Sequence, residues 1–369
     1  MSGLNPDWHP RIIWRWLTGP IDGPLLLLAG LLMLAGLTMI GSAAPERITS
    51  QLLNTMAALV VMRLVAQLPP QRLMHLAVPA YVIGVVLLIA VALFGDVSKG
   101  ARRWLDLQVM RIQPSEMMKI AVPLMLAWYF QKREAQPRLR DQVVAALILL
   151  VPTALIARQP DLGTAILVLA AGFYVIFLAG LPWKVLIGLA AAGAAAAPLA
   201  WTLLHDYQRA RIVTLLDPEK DPLGKGFHII QSTIAIGSGG ILGKGWGHGT
   251  QAQLEFIPER HTDFIFAVLS EEFGLIGNTA LLVLYALLIG RGLMIAANAP
   301  TLFARLLAGA ITLIFFTYAF VNMGMVSGIL PVVGVPLPFI SYGGTALVTL
   351  FLGVGILMSI HKNRMLVQK

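Results

Sequence analysis

The sequence predicts an all-α polytopic membrane protein, a single integral membrane domain over residues 1–369 with ten transmembrane helices. Hydrophobic residues make up 57% of the chain, charged residues only 12%, and the mean hydropathy is +0.79. These values lie far from those of soluble globular domains. The apolar residues also fall into runs of about 17–25 residues, the length at which a helix crosses a bilayer. The chain contains no cysteine, which excludes a disulfide framework and thiolate chemistry.

Ten apolar runs follow one another along the chain, and each is predicted to be a spanning helix. Two of the connections between them are long. Residues 95–113 are too polar to span and predict an interfacial segment at the membrane surface, with Trp104 among basic side chains. A large loop, about 206–262, separates the seventh run from the eighth. The runs are residues 23–43, 50–66, 74–94, 114–131, 142–157, 163–180, 183–205, 263–290, 304–329 and 343–360.

The charge distribution predicts the orientation of these spans. An even number of spans places both termini on the same side of the membrane. Short connections on that side are rich in Lys and Arg, as cytoplasmic loops are. Both termini are therefore predicted to be cytoplasmic and the loop 206–262 extracytoplasmic. The formal net charge of +9 reflects these topology signals, so nucleic-acid binding is not expected. Four of the 18 acidic residues lie on the side of the termini: Asp7, Asp22, Glu134 and Asp141.

The loop 206–262 is the most polar stretch in the chain. It is rich in glycine and, together with Asp263 at its end, holds seven of the 18 acidic residues. Such a segment adds nothing to stability in a bilayer, so we expect it to carry the function. Its glycine-rich part, residues 237–250, could present backbone N–H groups to phosphates. The glycine spacing does not match a Walker A motif, which disfavours nucleotide binding.

Asp161 and Asp263 both stand at the predicted start of a helix on the extracytoplasmic side. A helix cap is the favoured explanation for Asp161 in RQPDLGT. For Asp263, which follows Thr262 as a plausible cap, capping is one explanation and a functional carboxylate is the other. The second is favoured by the adjoining polar loop and by two further carboxylates, Glu271 and Glu272, about 12 Å further along the same helix.

Glu116 and Lys119 form a second candidate site at the start of the fourth span, in the motif QPSEMMK. Pro114 suits the first helical position, and Glu116 then lies in the first turn. Residues three apart share a helix face, so Glu116 and Lys119 are predicted to pair. The pair either lines a polar cavity or only seats the end of the helix. Lys119 is also one candidate partner for the carboxylates in the eighth span.

These residues belong to motifs that extend over nearly the whole chain, and in this order the motifs resemble the SEDS (shape, elongation, division and sporulation) family. The stretch GTQAQLEFIPERHTDFIF is closer to the cell-elongation branch of that family than to its division branch. The resemblance implies ten spans with a large extracytoplasmic loop between the seventh and eighth, in the bacterial cytoplasmic (inner) membrane. The other motifs are SKGARRWLDL, QPSEMMKIAVPL, QPDLGT, HDYQRARIVTLLDPEKDPLG, EEFGLIG and GMVSGILPVVGVPLPFISYGG.

The resemblance also implies an activity, peptidoglycan glycosyl transfer. Its substrate is lipid II, a disaccharide-pentapeptide carried on undecaprenyl diphosphate, which is polymerised into β-1,4-linked glycan. Asp263 matches the essential aspartate of the family's HTDF motif, and Glu116 and Lys119 match residues of its cavity. Transfer from an α-linked diphosphate to a β-linkage inverts the anomeric carbon, which requires one base to activate the acceptor hydroxyl. Asp263 is therefore the expected general base, or the ligand that positions a metal for that step.

The departing diphosphate needs its negative charge stabilised. Basic residues or a divalent cation (Mg²⁺ or Mn²⁺) could do this, and the sequence does not choose between them; no organic cofactor is expected. The further candidates for the substrate cavity are Arg102, Arg103, Asp161, Arg209, Arg211 and His261.

The family resemblance implies partners as well: a class B penicillin-binding protein as transpeptidase, the elongation machinery of MreB, MreC and MreD, and membrane lipids. Two other functions stay open. A lipid II flippase would need polar residues through the whole bilayer depth, whereas the polar residues here crowd the extracytoplasmic side. A non-catalytic scaffold for cell-wall enzymes would leave Asp263, Glu116 and Lys119 with no role beyond caps and pairs.

Overall fold

Each of the ten predicted spans coincides with a helix in the computed structural model. The structure describes residues 21–98, 101–106, 111–133, 138–203, 206–218, 225–254, 256–257 and 259–367. The largest difference in length is in the tenth predicted span, whose helix continues to Val367. The ten helices are α1 Gly23–Ala43, α2 Ile48–Ala66, α3 Pro70–Phe94, α4 Pro114–Arg133, α5 Leu139–Arg158, α6 Leu162–Leu178, α7 Trp183–Leu203, α11 Ile265–Ala297, α12 Leu302–Val326 and α13 Gly344–Val367.

Seven of these helices are long and apolar enough to cross a membrane: α1, α2 with the turn before it, α3, α5, α11, α12 and α13. Two more contain shorter apolar stretches, residues 162–178 of α6 and 183–199 of α7. The fourth helix, α4, carries the buried charges of Glu116 and Lys119 near its start. The chain is therefore a mostly helical, multi-pass membrane protein.

Contacts between helix ends sort the connections onto two faces of the bundle. At one face, Asp22 before α1 pairs with Arg291 of α11 at 2.5 Å and lies 3.5 Å from His361 of α13. We call this the Asp22 face. At the other, Arg260 Nε donates to the carbonyl of Ala43 at the end of α1, at 2.7 Å. This second face carries the loop 206–262, and we call it the Asp263 face. The first and last described helices thus both have their outer ends at the Asp22 face.

The helix α12 is at the centre of the bundle. Within its apolar window 78% of the residues are buried, the largest share among the seven candidate spans. It packs against α11, α6 and α4. Neighbouring helices surround α12, so its polar side chains are shielded from solvent. Each is therefore expected to hydrogen-bond to a neighbouring helix or to groups at the Asp263 face.

Three short strands within residues 95–113 form a small sheet, so the all-α prediction is wrong for the described part of this segment. Strand β1 (Asp96–Ser98) pairs antiparallel with β2 (Ala101–Asp106), and β2 pairs antiparallel with β3 (Arg111–Ile112). Strands of two to six residues are too short to show a clear alternation of polar and apolar residues. Their pairing with one another, which local sequence does not reveal, stabilises them.

The described part of the loop 206–262 contains three further helices: α8 (Asp206–Leu216), α9 (Lys225–Ser238) and α10 (Thr250–Gln253). Its glycine-rich part docks on an interruption of α11 at Gly274, where φ is +60°. There the N–H of Lys244 donates to the carbonyl of Glu271, and that of Gly245 to Glu272, each at 3.0 Å. A Cβ on Gly243 would lie 2.1 Å from the Glu272 carbonyl oxygen. Close backbone approach therefore explains why this position is glycine.

Candidate active site

Three consecutive backbone carbonyls fix the turn that carries Asp263. The carbonyl of His261 accepts from the N–H of Tyr342 at 2.8 Å, and that of Thr262 accepts from the hydroxyl of Ser341 at 2.6 Å. The carbonyl of Asp263 accepts from the side-chain amide of Asn322 at 2.8 Å. We call residues 261–263 the HTD turn. Its backbone is tied both to α12 and to the segment before α13.

Asp263 is not the N-cap residue of the helix that follows it. Helix α11 begins at Ile265, and its N-cap residue is Phe264, whose side chain makes no capping hydrogen bond. The helix thus begins two residues later than the sequence predicts, and neither Thr262 nor Asp263 is its N-cap residue. The hydroxyl of Thr262 donates instead to Glu259.

The Asp263 carboxylate, half-buried, faces the segment 331–338. A Cβ at Gly334, where φ is +74°, would lie 3.3 Å from Asp263 Oδ2. The side-chain amide of Asn322 donates to the carbonyl of Val335 at 2.7 Å as well as to that of Asp263. One buried amide therefore sets the HTD turn and the glycine opposite it at a fixed distance.

Glu116 and Lys119 form the predicted pair, and the structure adds Tyr318 to it. Lys119 Nζ donates to Glu116 Oε1 at 2.5 Å and to the hydroxyl of Tyr318 at 2.6 Å. All three are buried, with Lys119 only 2% exposed. Glu116 Oε2 is buried as well and accepts no hydrogen bond. The cluster therefore has one buried acceptor without a donor. An ion pair that served only to fix the end of the helix would not be expected to leave a buried oxygen unpaired.

Asp161 joins the start of α6 to the start of α4. Its Oδ1 accepts from the N–H of Thr164 at 3.3 Å, which confirms the predicted cap. Its Oδ2 accepts from the side-chain amide of Gln113 at 3.1 Å. Arg103, from β2, donates to the carbonyl of Pro160 at 2.6 Å. Both predicted residues, Arg103 and Asp161, thus lie beside the start of α4.

Tyr318 and Asn322 link the two predicted sites. They are one turn apart on α12 and so lie on the same side of that helix. Tyr318 contacts Lys119, and Asn322 contacts the backbone of Asp263. The rise between them is about 6 Å. Sequence reasoning missed both, although polar side chains one turn apart in an apolar span were a usable signal.

The remaining basic residues that were predicted to line the substrate cavity lie in different surroundings. Arg209 donates to the carbonyls of Trp201 and Thr202 at 3.0 and 2.6 Å, so it satisfies the end of α7. Arg211 instead lines a cavity with His228 of α9. The side chain of Arg102 lies outside the described part of the chain.

His261 and His228 lie close to Glu259 at the HTD turn. The His261 ring meets Tyr342 edge-on at 5.7 Å, and the His228 ring stacks on Phe264 at 5.8 Å. Burial lowers the pKa of both histidines, and the nearby Glu259 carboxylate opposes that shift in each. Both imidazoles are therefore favoured in the neutral form near neutral pH.

Glu271 and Glu272 are buried, but Lys119 is not their partner. Glu271 Oε1 accepts from Lys244 Nζ at 2.7 Å and from the Thr250 hydroxyl at 3.0 Å. Glu272 accepts from the hydroxyl of Ser42 at the end of α1. These carboxylates hold the glycine-rich segment and α1 against α11, a role that sequence alone did not predict.

The described residues do not include a metal site built from clustered acidic and histidine side chains. Within the described ranges, no group of three or more His, Asp or Glu side chains is placed to hold an ion. A cation near Asp263 would need ligands besides these side chains, such as backbone carbonyls, water or a bound substrate.

Comparison with known proteins places these features in a family. The model of the FtsW/RodA/SpoVE family, described as cell cycle protein, matches residues 21–366. The chain belongs to this family. Among its relatives, the peptidoglycan glycosyltransferase MrdB of Escherichia coli (strain K12) is 59% identical over 84% of each chain. The probable peptidoglycan glycosyltransferase FtsW of Geobacter metallireducens is 38% identical over 74% of this chain and 73% of the relative.

Solved structures of the family share the fold. A chain from a peptidoglycan synthase complex, studied for its coordination of polymerization and crosslinking, has a TM-score of 0.82 and 36% identity. The rod shape determining protein RodA of Thermus thermophilus has a TM-score of 0.72 and 30% identity. Each comparison covers 94% of this chain and 99% of the other. The higher identity to MrdB than to FtsW agrees with the elongation branch predicted from the HTDF region.

Proposed function

We propose that this protein is a peptidoglycan glycosyltransferase that polymerises lipid II into β-1,4-linked glycan during cell elongation. The observation that carries the proposal is the HTD turn: it is held by three hydrogen bonds to its carbonyls, and its aspartate faces Gly334. Identity of 59% to a peptidoglycan glycosyltransferase over 84% of the chain supports the same activity.

Asp263 is the proposed general base. The acceptor hydroxyl oxygen attacks the anomeric carbon of the donor, and its proton passes to the Asp263 carboxylate. The bond from that carbon to the diphosphate oxygen breaks, and its electron pair leaves with the diphosphate. Attack from the face opposite the leaving group inverts the anomeric centre. The fixed backbone of residues 261–263 supports this role, because a base must be held at hydrogen-bonding distance from its proton.

Glu116 and Lys119 are proposed to bind substrate rather than to transfer protons. Glu116 Oε2 is an unused acceptor, suited to a hydroxyl or amide N–H of the sugar-peptide. Lys119 Nζ already donates to two acceptors within the cluster, so its main effect is to hold the Glu116 carboxylate in place.

We propose that a divalent cation, if one takes part, binds together with the substrate. In that case Asp263 would act as a metal ligand in place of its role as the base, with the diphosphate supplying further oxygens, as in Mg²⁺ sites with phosphates. The cation would neutralise charge on the leaving group. Polymerisation measured with and without a chelator decides this point.

The finer topology is also proposed: ten spans, both termini in the cytoplasm, and the Asp263 face outside. The alternation of helix ends between the two faces supports it. Because the chain has no cysteine, single cysteines at the exposed positions Leu254 and Asn298 test it with an impermeant thiol reagent on intact cells. Labelling at 254 alone is expected; labelling at 298 alone would reverse the orientation.

A class B penicillin-binding protein is the proposed transpeptidase partner, with MreB, MreC and MreD as the wider elongation machinery. The similarity to a chain of a peptidoglycan synthase complex supports the first of these. Membrane lipids surround the bundle, and lipid II is the substrate.

The direct test is glycan synthesis from lipid II by the purified chain, with and without the penicillin-binding protein. Long glycan strands are expected at least in the complex. A flippase would instead move labelled lipid II across vesicle membranes without joining it, and a scaffold would do neither. Either result, with folded protein, would overturn the proposal.

A further inference from the structure

We infer that the cavity between α8 and α9 binds the diphosphate of a polyprenyl-linked substrate, with Arg211 and His228 as its binding residues. The inference rests on the proposed function, because it assigns part of that substrate to one place on the Asp263 face. The cavity has a volume of about 160 Å³ and is lined by Arg211, Thr214, His228, Ile229 and Val332.

The cavity adjoins the HTD turn on two sides. The ring of His228 stacks on Phe264, the residue after Asp263, with centroids 5.8 Å apart. Val332 lies two residues before Gly334, which faces the Asp263 carboxylate. A phosphate bound here would therefore lie close enough to the aspartate for one substrate to reach both.

The position of His228 is set by the packing of α9. One turn further on, the buried hydroxyl of Ser232 donates to the carbonyl of Val326 at the end of α12, at 2.9 Å. Residues four apart share a helix face, so this contact turns His228 toward the bundle. His228 Nδ1 is buried and has no hydrogen-bond partner. A buried ring nitrogen without a partner is costly in a native structure, and a ligand atom would relieve that cost.

The chemistry of the lining fits a phosphate that carries a lipid chain. Arg211 offers a planar set of N–H donors that matches phosphate oxygens, and His228 and Thr214 can add one donor each. Ile229 and Val332 offer apolar surface beside these donors, suited to the first isoprene units. A free inorganic phosphate would gain nothing from that apolar wall.

Arg209 provides a matched control. It lies on the same helix, two residues before Arg211, but its guanidinium is engaged with the end of α7. Loss of either arginine removes one positive charge from α8. Only loss of Arg211 removes a donor from the cavity.

Binding can be measured without catalysis in the Asp263→Asn background, with farnesyl diphosphate as a short probe and intrinsic tryptophan fluorescence or thermophoresis as the readout. Arg211→Gln and His228→Gln are each expected to raise the Kd about ten- to hundredfold, the usual effect of losing a charge-assisted hydrogen bond. Arg209→Gln should leave the Kd unchanged. Farnesol and inorganic diphosphate should both bind more weakly than farnesyl diphosphate.

Two results would overturn the inference. One is an equal loss of affinity in Arg209→Gln and Arg211→Gln. The other is displacement of the probe by phosphatidylglycerol at equal concentration, which would make the cavity a general site for anionic headgroups. Arg211→Lys, which keeps the charge, gives a second variant should Arg211→Gln fail to fold. Because the readout is binding, a wild-type chain that bound the probe but made no glycan would count against the proposed function alone.

Discussion

Asp22 and Glu116, two buried carboxylates at opposite faces of the bundle, differ in how fully their oxygens accept hydrogen bonds. At the Asp22 face, Asp22 Oδ1 accepts from the N–H of Leu25 at 2.9 Å and from Arg291 Nε at 3.1 Å, and Oδ2 accepts from Arg291 Nη2 at 2.5 Å. At the Asp263 face, Glu116 uses only Oε1, in its bond to Lys119.

This difference separates a structural ion pair from one that is available to a ligand. A buried acceptor without a hydrogen bond costs about 1–3 kcal/mol. Asp22 avoids that cost by tying the start of α1 to α11. Glu116 does not avoid it, and such a cost is expected where a substrate completes the site. Equivalent substitutions at the two faces should therefore have different effects.

The largest effect is expected for Asp263→Asn. Asparagine keeps the shape of the side chain and the three backbone hydrogen bonds of residues 261–263, so the protein should fold. It removes the base, and the turnover of lipid II should fall about 10²–10⁴-fold. The measurement is the rate of glycan formation by the purified variant at saturating lipid II.

The matched control is Asp22→Asn, the same change at the opposite face. It breaks the pair with Arg291, so it should lower the apparent melting temperature while turnover stays near that of the wild type. Near wild-type polymerisation by Asp263→Asn would reject Asp263 as the base. Equal loss of turnover in both variants would remove the distinction between the faces.

A smaller effect is expected for Glu116→Gln. The substitution keeps volume but removes the charge that the substrate would meet, so we expect turnover to fall roughly 10- to 100-fold. Arg291→Gln, which breaks the other ion pair, should act mainly on stability. Measuring thermal unfolding and glycan synthesis on both variants separates the cases. Should Glu116→Gln lower only the melting temperature, the pair merely seats the start of α4.

The smallest of the three effects is expected for Asn322→Leu. Leucine is similar in size but donates no hydrogen bond, so the carbonyls of Asp263 and Val335 both lose their partner. A shift of the HTD turn by a fraction of an ångström should lower kcat about tenfold, with a smaller change in KM. Thr317→Val on the same helix, which removes the bond to Tyr174 at 2.7 Å, should leave kcat unchanged. Equal kcat values for the two variants would mean that Asn322 does not position Asp263.

Local sequence patterns were sufficient for much of the fold. The ten helices follow the predicted runs closely because a span needs a minimum length of apolar residues, and that length is visible along the chain. The sheet β1–β3 was not predictable in this way, since its strands depend on one another. The Glu116–Lys119 pair was predictable from its three-residue spacing on one helix.

Other features of the site needed the tertiary structure. Lys119 and Tyr318 are 199 positions apart in sequence, and Asp263 and Asn322 are 59 apart. Packing around α12 brings each pair together, and it leaves Lys244 rather than Lys119 beside Glu271. Asp263 itself was found from its motif, but its contacts with α12 and with Gly334 needed the tertiary structure.

The sequence by itself determined that this is a helical membrane protein, where its helices lie, and which loop and aspartate stand out. Hydropathy and helical spacing are local properties, so each could be read from neighbouring residues. The tertiary structure decided which buried polar groups are satisfied and which are left available. Whether a buried polar group is satisfied depends on the partner that it meets across the bundle. In an apolar interior no water is present to supply the missing hydrogen bond.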